Sequence, residues 1–566
     1  MSALDDQVAA WRAEEVSDLD ARELDDLVAA GDTAALTERF AASLAFGTAG
    51  LRGPLRAGPN GMNAAVVRRA AAGIAAWLGS RGAYGTTVVI GHDARHRSVE
   101  FAHDSAGVLA AAGFEVEVLP EPLPTPVLAY AVRDRDAAVG IMVTASHNPA
   151  NDNGYKVYLG LDPRLHASGE DAVLGDGAQI VPPVDAEIEA AISAIGPTSA
   201  IALSDDWTTL GDDLVEGYVR AVVGAIGVDS NDPANGALRI VHTAMHGVGW
   251  TTVQRVFDAA GFTSVAPVLL QQDPDPDFPT VAFPNPEEAG ALDLALALAA
   301  ERDAQLLIAN DPDADRCALA VPGTDDVWRA LTGDEVGVLL ADALLRRGVT
   351  GTYATTIVSS TMLGVLVAAA GPGAVYAETL TGFKWIVRGG ADLAFGYEEA
   401  LGYAVAPPVV RDKDGISAGL LAAGLTRDLL AAGSSPAARL DELAAEHGVH
   451  VTRGVSLRVD DLAAIGTMLD ALRADPPTTL AGHDVTTVDL RDQTPATDGA
   501  RLTWETGRAV VRPSGTEPKL KVYLEVRRGV PSGNVSDVPE ARAAATAELD
   551  QIATTLRDRL LAAVSS

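Results

Sequence analysis

TTVVIGHDARHRSVEFAHDSAGVLAAAGFEVEVL, running from Thr86 to Leu119, is the stretch on which the fold turns. An apolar run ends in a small polar turn. Apolar residues at helical spacing follow, Ala-Ala-Gly closes the helix, and FEVEVL resumes as strand. The period passes from strand to helix and back, and Gly113 falls at the helix exit, where glycine suits a left-handed cap. This is a βαβ unit, which favours parallel pairing within a mixed α/β sheet. Two more stretches share the plan: LRIVHTAMHGVGWTTVQRVFDAAGFTSVAPVL, Leu238 to Leu269, and TYATTIVSSTMLGVLVAAAGPGAVYAE, Thr352 to Glu378. Gly261 and Gly371 stand at the same exit position. Recurrence at intervals of about 110–150 residues indicates three similar domains rather than a solenoid, whose repeats run to roughly 20–50.

Outward from these units the character changes. The first 45 residues are rich in Ala, Leu, Glu and Asp, with apolar positions at three- and four-residue steps, and read as helix. The last hundred read as strand and helix (VTRGVSLRVDDLAAIGTMLDALRAD), then strands with turns, then a long helix (PEARAAATAELDQIATTLRDRLLAAV). The expected architecture is α/β: three similar mixed α/β domains over 1–210, 211–325 and 326–450, and a C-terminal α+β domain over 451–566.

Composition bounds the function. At 566 residues and 58.3 kDa the chain suits about three to five domains, and 48% apolar content supplies their cores. A formal charge of −35 repels phosphate backbones, so nucleic acid is excluded as a partner. An anionic ligand then needs a local basic pocket set against the global field. The single cysteine, Cys317, excludes an intrachain disulfide and a cysteine zinc site. The N-terminus, MSALDDQVAAWRAEE, lacks the basic-then-apolar order of a secretory signal. Val349 to Ala377 is uncharged but broken by Gly371-Pro372-Gly373, and reads as a buried strand–helix–strand rather than a membrane span. A soluble cytoplasmic protein is expected, without a membrane partner. Only five of the 42 basic residues are lysine, namely Lys156, Lys384, Lys413, Lys519 and Lys521. Such a chain keeps lysine where a compact ammonium is useful.

Four segments carry candidate chemistry. In IMVTASHNPANDNGYKVY, Ile141 to Tyr158, a strand delivers Ser146 and His147 into a turn and Lys156 lies on the returning limb. A turn hydroxyl beside an imidazole and a cation suits nucleophilic attack or phosphoryl transfer; an ordinary hairpin tip is the plain alternative. In LLIANDPDADRC, Leu306 to Cys317, a strand ends in Asp311, Asp313 and Asp315, whose spacing lets three carboxylates converge on Mg²⁺. An EF-hand is rejected, because Arg316 and Pro322 stand where glycine and glutamate belong. A phosphatase with Asp311 as nucleophile, or an acidic surface turn, are the other readings. In LAFGYEEALGYAV, from Leu393, Glu398 and Glu399 lie in a Gly-flanked loop suited to sugar hydroxyls, with Lys384, Arg411 and Lys413 adding local positive charge. A solvated loop is the alternative. In VVRPSGTEPKLKVYLEV, Val510 to Val526, Arg512, Ser514, Gly515, Thr516 and Lys519 form a turn that can cradle phosphate, or a plain hairpin.

Together, TASHNP, DPDADR, GYEEALG and RPSGTEP resemble, in order and one per domain, the motifs of the α-D-phosphohexomutase superfamily of phosphoglucomutases and phosphomannomutases. FGTAGLRG, Phe46 to Gly53, is similar to the family's N-terminal motif, which puts Arg52 in the active site. FGTAGLRG, TGFKW and YEEALGY look most like the branch that holds phosphoglucomutase-type and phosphopentomutase-type enzymes. The resemblance covers essentially the whole chain and implies four domains around a central active-site cleft. It implies that Ser146 carries the phosphoryl group and that Asp311, Asp313, Asp315 and the phosphoserine hold Mg²⁺. Arg316 matches a cation beside the metal loop, and His147 and Lys156 match proton-transfer or charge-stabilising groups. Glu398 matches the glutamate that grips sugar hydroxyls. Arg512, Ser514, Gly515 and Thr516 match the holders of the phosphate that is not transferred. Several hexomutases have Glu-x-Ser in the sugar loop, whereas this chain has Ala400 at the third position. The implied activity is interconversion of hexose 1- and 6-phosphates (glucose or mannose) with a sugar bisphosphate as intermediate and activator. Interconversion of pentose 1- and 5-phosphates is the alternative; a metal-dependent phosphatase and a non-catalytic sugar-phosphate sensor rank below it. The partners expected are small sugar phosphates, with the chain a monomer or homodimer.

Overall fold

A computed structural model describes residues 3–47, 50–323, 327–459, 463–514 and 519–565. The acidic N-terminal segment is helical, as expected, with helices at Ala3–Glu14, Asp18–Ala30 and Thr33–Phe40. Ser17 and Asp32 cap the second and third by accepting backbone N–H groups.

The first sheet contains β1 (Leu51–Pro54), β2 (Thr87–His92), β3 (Glu115–Val118), β4 (Val139–Val143), β5 (Asp152–Leu159), β6 (Ala178–Gln179) and β7 (Thr208–Thr209). Its order is β1-β5-β4-β2-β3-β7, with β6 on β5. The second has β8 (Ile240–Thr243), β9 (Val265–Pro267), β10 (Leu306–Ala309), β11 (Ala318–Pro322) and β12 (Trp328–Ala330), ordered β12-β11-β10-β8-β9. The third has β13 (Gly351–Thr356), β14 (Ala374–Thr379), β15 (Leu393–Glu398) and β16 (Gly402–Ala404), ordered β14-β13-β15-β16.

The three repeated stretches form the expected parallel pairs β2–β3, β8–β9 and β13–β14, joined by helices Ser98–Ala111, Gly249–Ala259 and Met362–Ala370. Gly113, Gly261 and Gly371 all take positive φ at the helix exits, at 91°, 83° and 83°. Each sheet then gains an antiparallel pair next to its parallel strands: β4–β5, β10–β11 and β15–β16. The turns of these pairs carry TASHNP, DPDADR and the glutamate loop.

The C-terminal sheet is antiparallel, with β17 (Val449–Arg458), β20 (Thr486–Asp489), β21 (Ala500–Trp504), β22 (Gly507–Pro513) and β23 (Lys519–Arg528). Between β17 and β20 lies a small hairpin, β18 (Thr479–Leu480) and β19 (His483–Asp484). Alternation on β23 turns Val522, Leu524 and Val526 into a core shared with helices Ala463–Ala474 and Val538–Ser565. It leaves Tyr523 and Glu525 on the other face.

Helix Gly415–Ala431 is apolar nearly all round and buried along most of its length. One apolar core runs through the second and third sheets and takes in this helix and helix Thr125–Asp134 of the first. That continuity fixes the three motif turns relative to one another. Among the described residues no single helix is long and apolar enough to cross a membrane.

Candidate active site

Ser146 stands just past β4. Its amide donates to Thr144 Oγ1 at 2.9 Å, which tightens the turn. Its φ is +51°, a left-handed conformation that costs a residue with a side chain roughly 1–2 kcal/mol. Ser146 Oγ donates to Asp311 Oδ2 at 2.7 Å and lies 3.2 Å from His147 Nδ1. The Ser146 turn of the first unit therefore meets the aspartate turn of the second. Burial, followed by the charges of Arg316 and Arg52, drives His147 well below the usual imidazole range and keeps it neutral.

Asp311, Asp313 and Asp315 are fully buried, and their ligand oxygens lie within 4.8 Å of one another. Each carboxylate is oriented by the protein. Asp311 Oδ1 accepts the Arg316 amide at 3.0 Å. Asp313 Oδ2 accepts from Lys156 Nζ at 2.7 Å and Thr125 Oγ1 at 2.6 Å. Asp315 Oδ2 accepts from Lys156 Nζ at 2.8 Å and pairs with Lys413 Nζ at 3.3 Å. Asp313 Oδ1 and Asp315 Oδ1, both buried, have no hydrogen-bond partner. Burial, then repulsion from Asp313 and Asp315, raises Asp311 far above the carboxylate range. Burial works the same way on Asp315, but Lys156, Lys413 and Arg316 outweigh it and hold that group well below. Two aimed, unpartnered carboxylate oxygens beside a carboxyl with a raised pKa fit a hard divalent cation.

Arg52 sits on β1 opposite Gly154 of β5, and its Nη1 donates to Asn148 Oδ1 at 3.3 Å, within the Ser146 turn. Gly50, at φ +75°, is required there, since a Cβ would stand 1.6 Å from the Tyr155 carbonyl oxygen. Arg316 Nη1 reaches Glu287 Oε2 at 3.4 Å. Lys413 Nζ also lies over the Phe383 ring, 5.5 Å from its centroid. Glu398 is at the end of β15, where burial raises its pKa while Lys413 and Arg316 oppose the rise. Ser146, His147, Lys156, Arg52, Arg316, Lys413 and Glu398 thus converge on the aspartate cluster.

Other expected residues stand elsewhere. Glu399 turns to the opposite side, where its Oε2 accepts from Ser359 Oγ at 2.8 Å and Thr356 Oγ1 at 3.3 Å. Burial, reinforced by Glu398, pushes it up to about 7. Arg411, read as part of the sugar loop's positive charge, instead donates to the carbonyls of Val387 and Gly390. Its charged neighbours are Arg133, Asp176 and Arg388, on the seam between the first and third units. Lys384 is part-buried in the short helix Phe383–Ile386, and burial lowers it to about 8 against the pull of Asp185. The Tyr523 phenol of β23 lies within reach of the charges of Glu399, Arg512 and Glu398, so this part of β22 and β23 faces the glutamate loop. Ser514 N donates to Lys519 O at 2.8 Å. Gly515 and Thr516 lie outside the described residues. Thr125, which holds Asp313, and Glu287, which meets Arg316, touch the site without a reading in the sequence. The only signal for Thr125 is Thr-Pro opening a helix.

Comparison with known proteins now places the chain. Models of phosphoglucomutase/phosphomannomutase domains I, II and III and of the C-terminal domain match residues 43–198, 216–324, 332–447 and 455–530 in turn. The chain belongs to the phosphoglucomutase/phosphomannomutase family. It is an isomerase of the intramolecular phosphotransferase type. It is 43% identical over 473 residues to the "Probable phosphomannomutase" of Haemophilus influenzae, covering 82% of this chain and 93% of that one. It is 32% identical over 595 residues to the phosphopentomutase of Mus musculus, covering 94% and 91%. A phosphoglucomutase/phosphomannomutase family protein from Burkholderia thailandensis shares the fold, with a TM-score of 0.64 at 23% identity, over 88% of this mutase and 96% of that chain.

Proposed function

We propose that this mutase interconverts hexose 1-phosphate and hexose 6-phosphate, of glucose or mannose, by way of phosphorylated Ser146 and a bisphosphorylated sugar. The observation that carries the reading is Ser146 Oγ at 2.7 Å from Asp311, beside two orphaned carboxylate oxygens. Asp311, Asp313, Asp315 and the Ser146 phosphoryl group would hold Mg²⁺. When bound, that ion supplies neutralising charge for the transferring phosphoryl group.

The remaining work belongs to the chain's own residues. Phosphoserine 146 gives its phosphoryl group to a sugar hydroxyl: the Oγ–P bond breaks as the new O–P bond forms. His147, neutral at neutral pH, takes up the hydroxyl proton and passes a proton to the freed Ser146 Oγ, 3.2 Å from its Nδ1. Arg52, Arg316 and Lys156 stabilise the spread charge. Glu398 orients sugar hydroxyls, with the buried Lys413 cation near it. Arg512, Ser514 and Lys519, with Gly515 and Thr516, hold the second phosphate. The bisphosphorylated sugar then reverses its ends and returns its other phosphoryl group to Ser146.

A second reading is a phosphopentomutase. The similarity to the mouse enzyme extends over 94% of the chain, more than the 82% shared with the phosphomannomutase relative, and Ala400 removes a hydroxyl from the sugar loop.

The test is turnover of glucose, mannose, glucosamine, ribose and deoxyribose 1-phosphates with Mg²⁺ and a trace of the matching bisphosphate. A hexose phosphate turned over fastest supports the first reading, and a pentose phosphate the second. Ser146→Ala is expected to abolish turnover. Full activity in that variant, or net release of inorganic phosphate by the wild type, overturns both.

A further inference from the structure

Arg95 lies in the loop between β2 and helix Ser98–Ala111, under the Ser146 turn. It is buried, and its guanidinium donates to backbone carbonyls. Its Nη2 donates to the carbonyls of Ser146 at 2.5 Å and Asn148 at 2.6 Å, and its Nη1 to those of Pro149 at 2.7 Å and Asp152 at 3.1 Å. Asp93, equally buried, stands 3.4 Å from its Nε and is itself fixed by Ser98 Oγ at 2.6 Å. Phe278, from the long loop after β9 in the second unit, lies on the guanidinium, with its centroid 4.9 Å from Cζ. Four carbonyls of one turn therefore converge on one planar cation, and an aromatic ring of another unit covers that cation.

The turn held in this way contains a strained residue. Ser146 keeps a left-handed φ of +51°, and such a conformation persists only where its surroundings over-determine it. Thr144 supplies one restraint, and Arg95 bonds the carbonyls of Ser146, Asn148, Pro149 and Asp152. A lysine has the charge but not the fork that serves four acceptors at once.

We propose that Arg95, capped by Phe278, is the positioning residue that holds Ser146 in its left-handed conformation and so aims Oγ at Asp311. The proposal rests on the reading of Ser146 as the phosphoryl carrier. It gives the contact between the first and second units a direct bearing on the transferring hydroxyl.

The experiment compares Arg95→Lys, Phe278→Ala and Ser146→Ala with the wild type, using glucose 1-phosphate and ribose 1-phosphate. It measures kcat, KM and the single-turnover rate at which a sugar bisphosphate phosphorylates Ser146, the last by intact mass. In Arg95→Lys, kcat and the phosphorylation rate are expected to fall about 10²-fold while KM stays within about twofold, because misaimed groups slow chemistry more than binding. Phe278→Ala is expected to show the same split at about 3–10-fold. It decides alone if Arg95→Lys does not fold. Unchanged kcat in Phe278→Ala, or in a folded Arg95→Lys, overturns the proposal, as does a raised KM with kcat intact. An inactive Ser146→Ala beside unimpaired Arg95→Lys and Phe278→Ala overturns the clamp alone, whereas an active Ser146→Ala overturns the phosphoserine reading beneath it.

Discussion

At the scale of single residues, the site works by dividing each carboxylate between two tasks. Asp313 and Asp315 each give one oxygen to protein donors and keep the other free. Thr125 is the donor that no sequence pattern pairs with Asp313, 188 positions away. Thr125→Val removes that hydroxyl at nearly constant volume. It is expected to weaken Mg²⁺ affinity about 10–100-fold, as read from the Mg²⁺ dependence of turnover and from calorimetric titration. An unchanged affinity would mean that Lys156 alone orients Asp313. The neighbouring glutamates show how far sequence reading reaches at this scale. Glu398 and Glu399 look equivalent in GYEEALG, yet successive residues at a strand end point to opposite sides. Glu398 is turned toward Lys413 and Arg316, and Glu399 toward Ser359. Arg411 reads alongside Lys413 by proximity in the chain, but its partners are backbone carbonyls more than 20 positions earlier. That is a tertiary fact with no local signature.

At the scale of elements, the repeated βαβ stretches, their exit glycines and the helical N-terminus are legible because each rests on local periodicity and turn chemistry. The antiparallel pairs appended to the parallel strands are less so, since β11 and β16 are short and carry no pattern of their own. Those pairs make the hairpin turns that hold the chemistry. The turns also pack on each other: Gly415 N donates to Ala314 O at 3.2 Å, and Cys317 N to Leu401 O at 3.1 Å. Gly415 has no room for a side chain, because a Cβ would stand 2.1 Å from the Arg316 carbonyl oxygen. Gly415→Ala is therefore expected to destabilise the chain by about 1–3 kcal/mol and to lower kcat together with it. Denaturant unfolding and turnover check both. A variant with wild-type stability and activity contradicts this packing of the third unit on the aspartate turn.

At the scale of the whole molecule, one face of the first unit joins the core of the second and third, and the C-terminal unit meets the third through two small apolar clusters and a set of polar contacts. Glu525 is the centre of these, accepting from Ser360 Oγ at 2.9 Å, the Thr361 amide at 2.8 Å, His450 Nδ1 at 3.0 Å and Arg508 Nε at 3.0 Å. Burial works against its charge, but His450 and Arg508 prevail and lower it to about 2. Its folded pKa thus lies below the unfolded value of about 4.3, so its stabilisation is full above that value and is lost as the pH falls through about 2. Glu525→Gln is expected to lower stability by roughly 3 kcal/mol at neutral pH, a difference that shrinks steadily below about pH 4. Urea unfolding of both proteins across that range measures it, and a pH-independent difference contradicts the assignment.

The proposed activity depends on Ser146 Oγ as the way station of the phosphoryl group. Intact-mass and peptide mapping of the wild type, after exposure to glucose 1,6-bisphosphate or ribose 1,5-bisphosphate and then to excess sugar monophosphate, tests it most directly. The expected result is one phosphoryl group gained on Ser146 and lost again to the monophosphate. A phosphoryl group on Asp311, or its appearance only as free inorganic phosphate, would rule Ser146 out as the carrier.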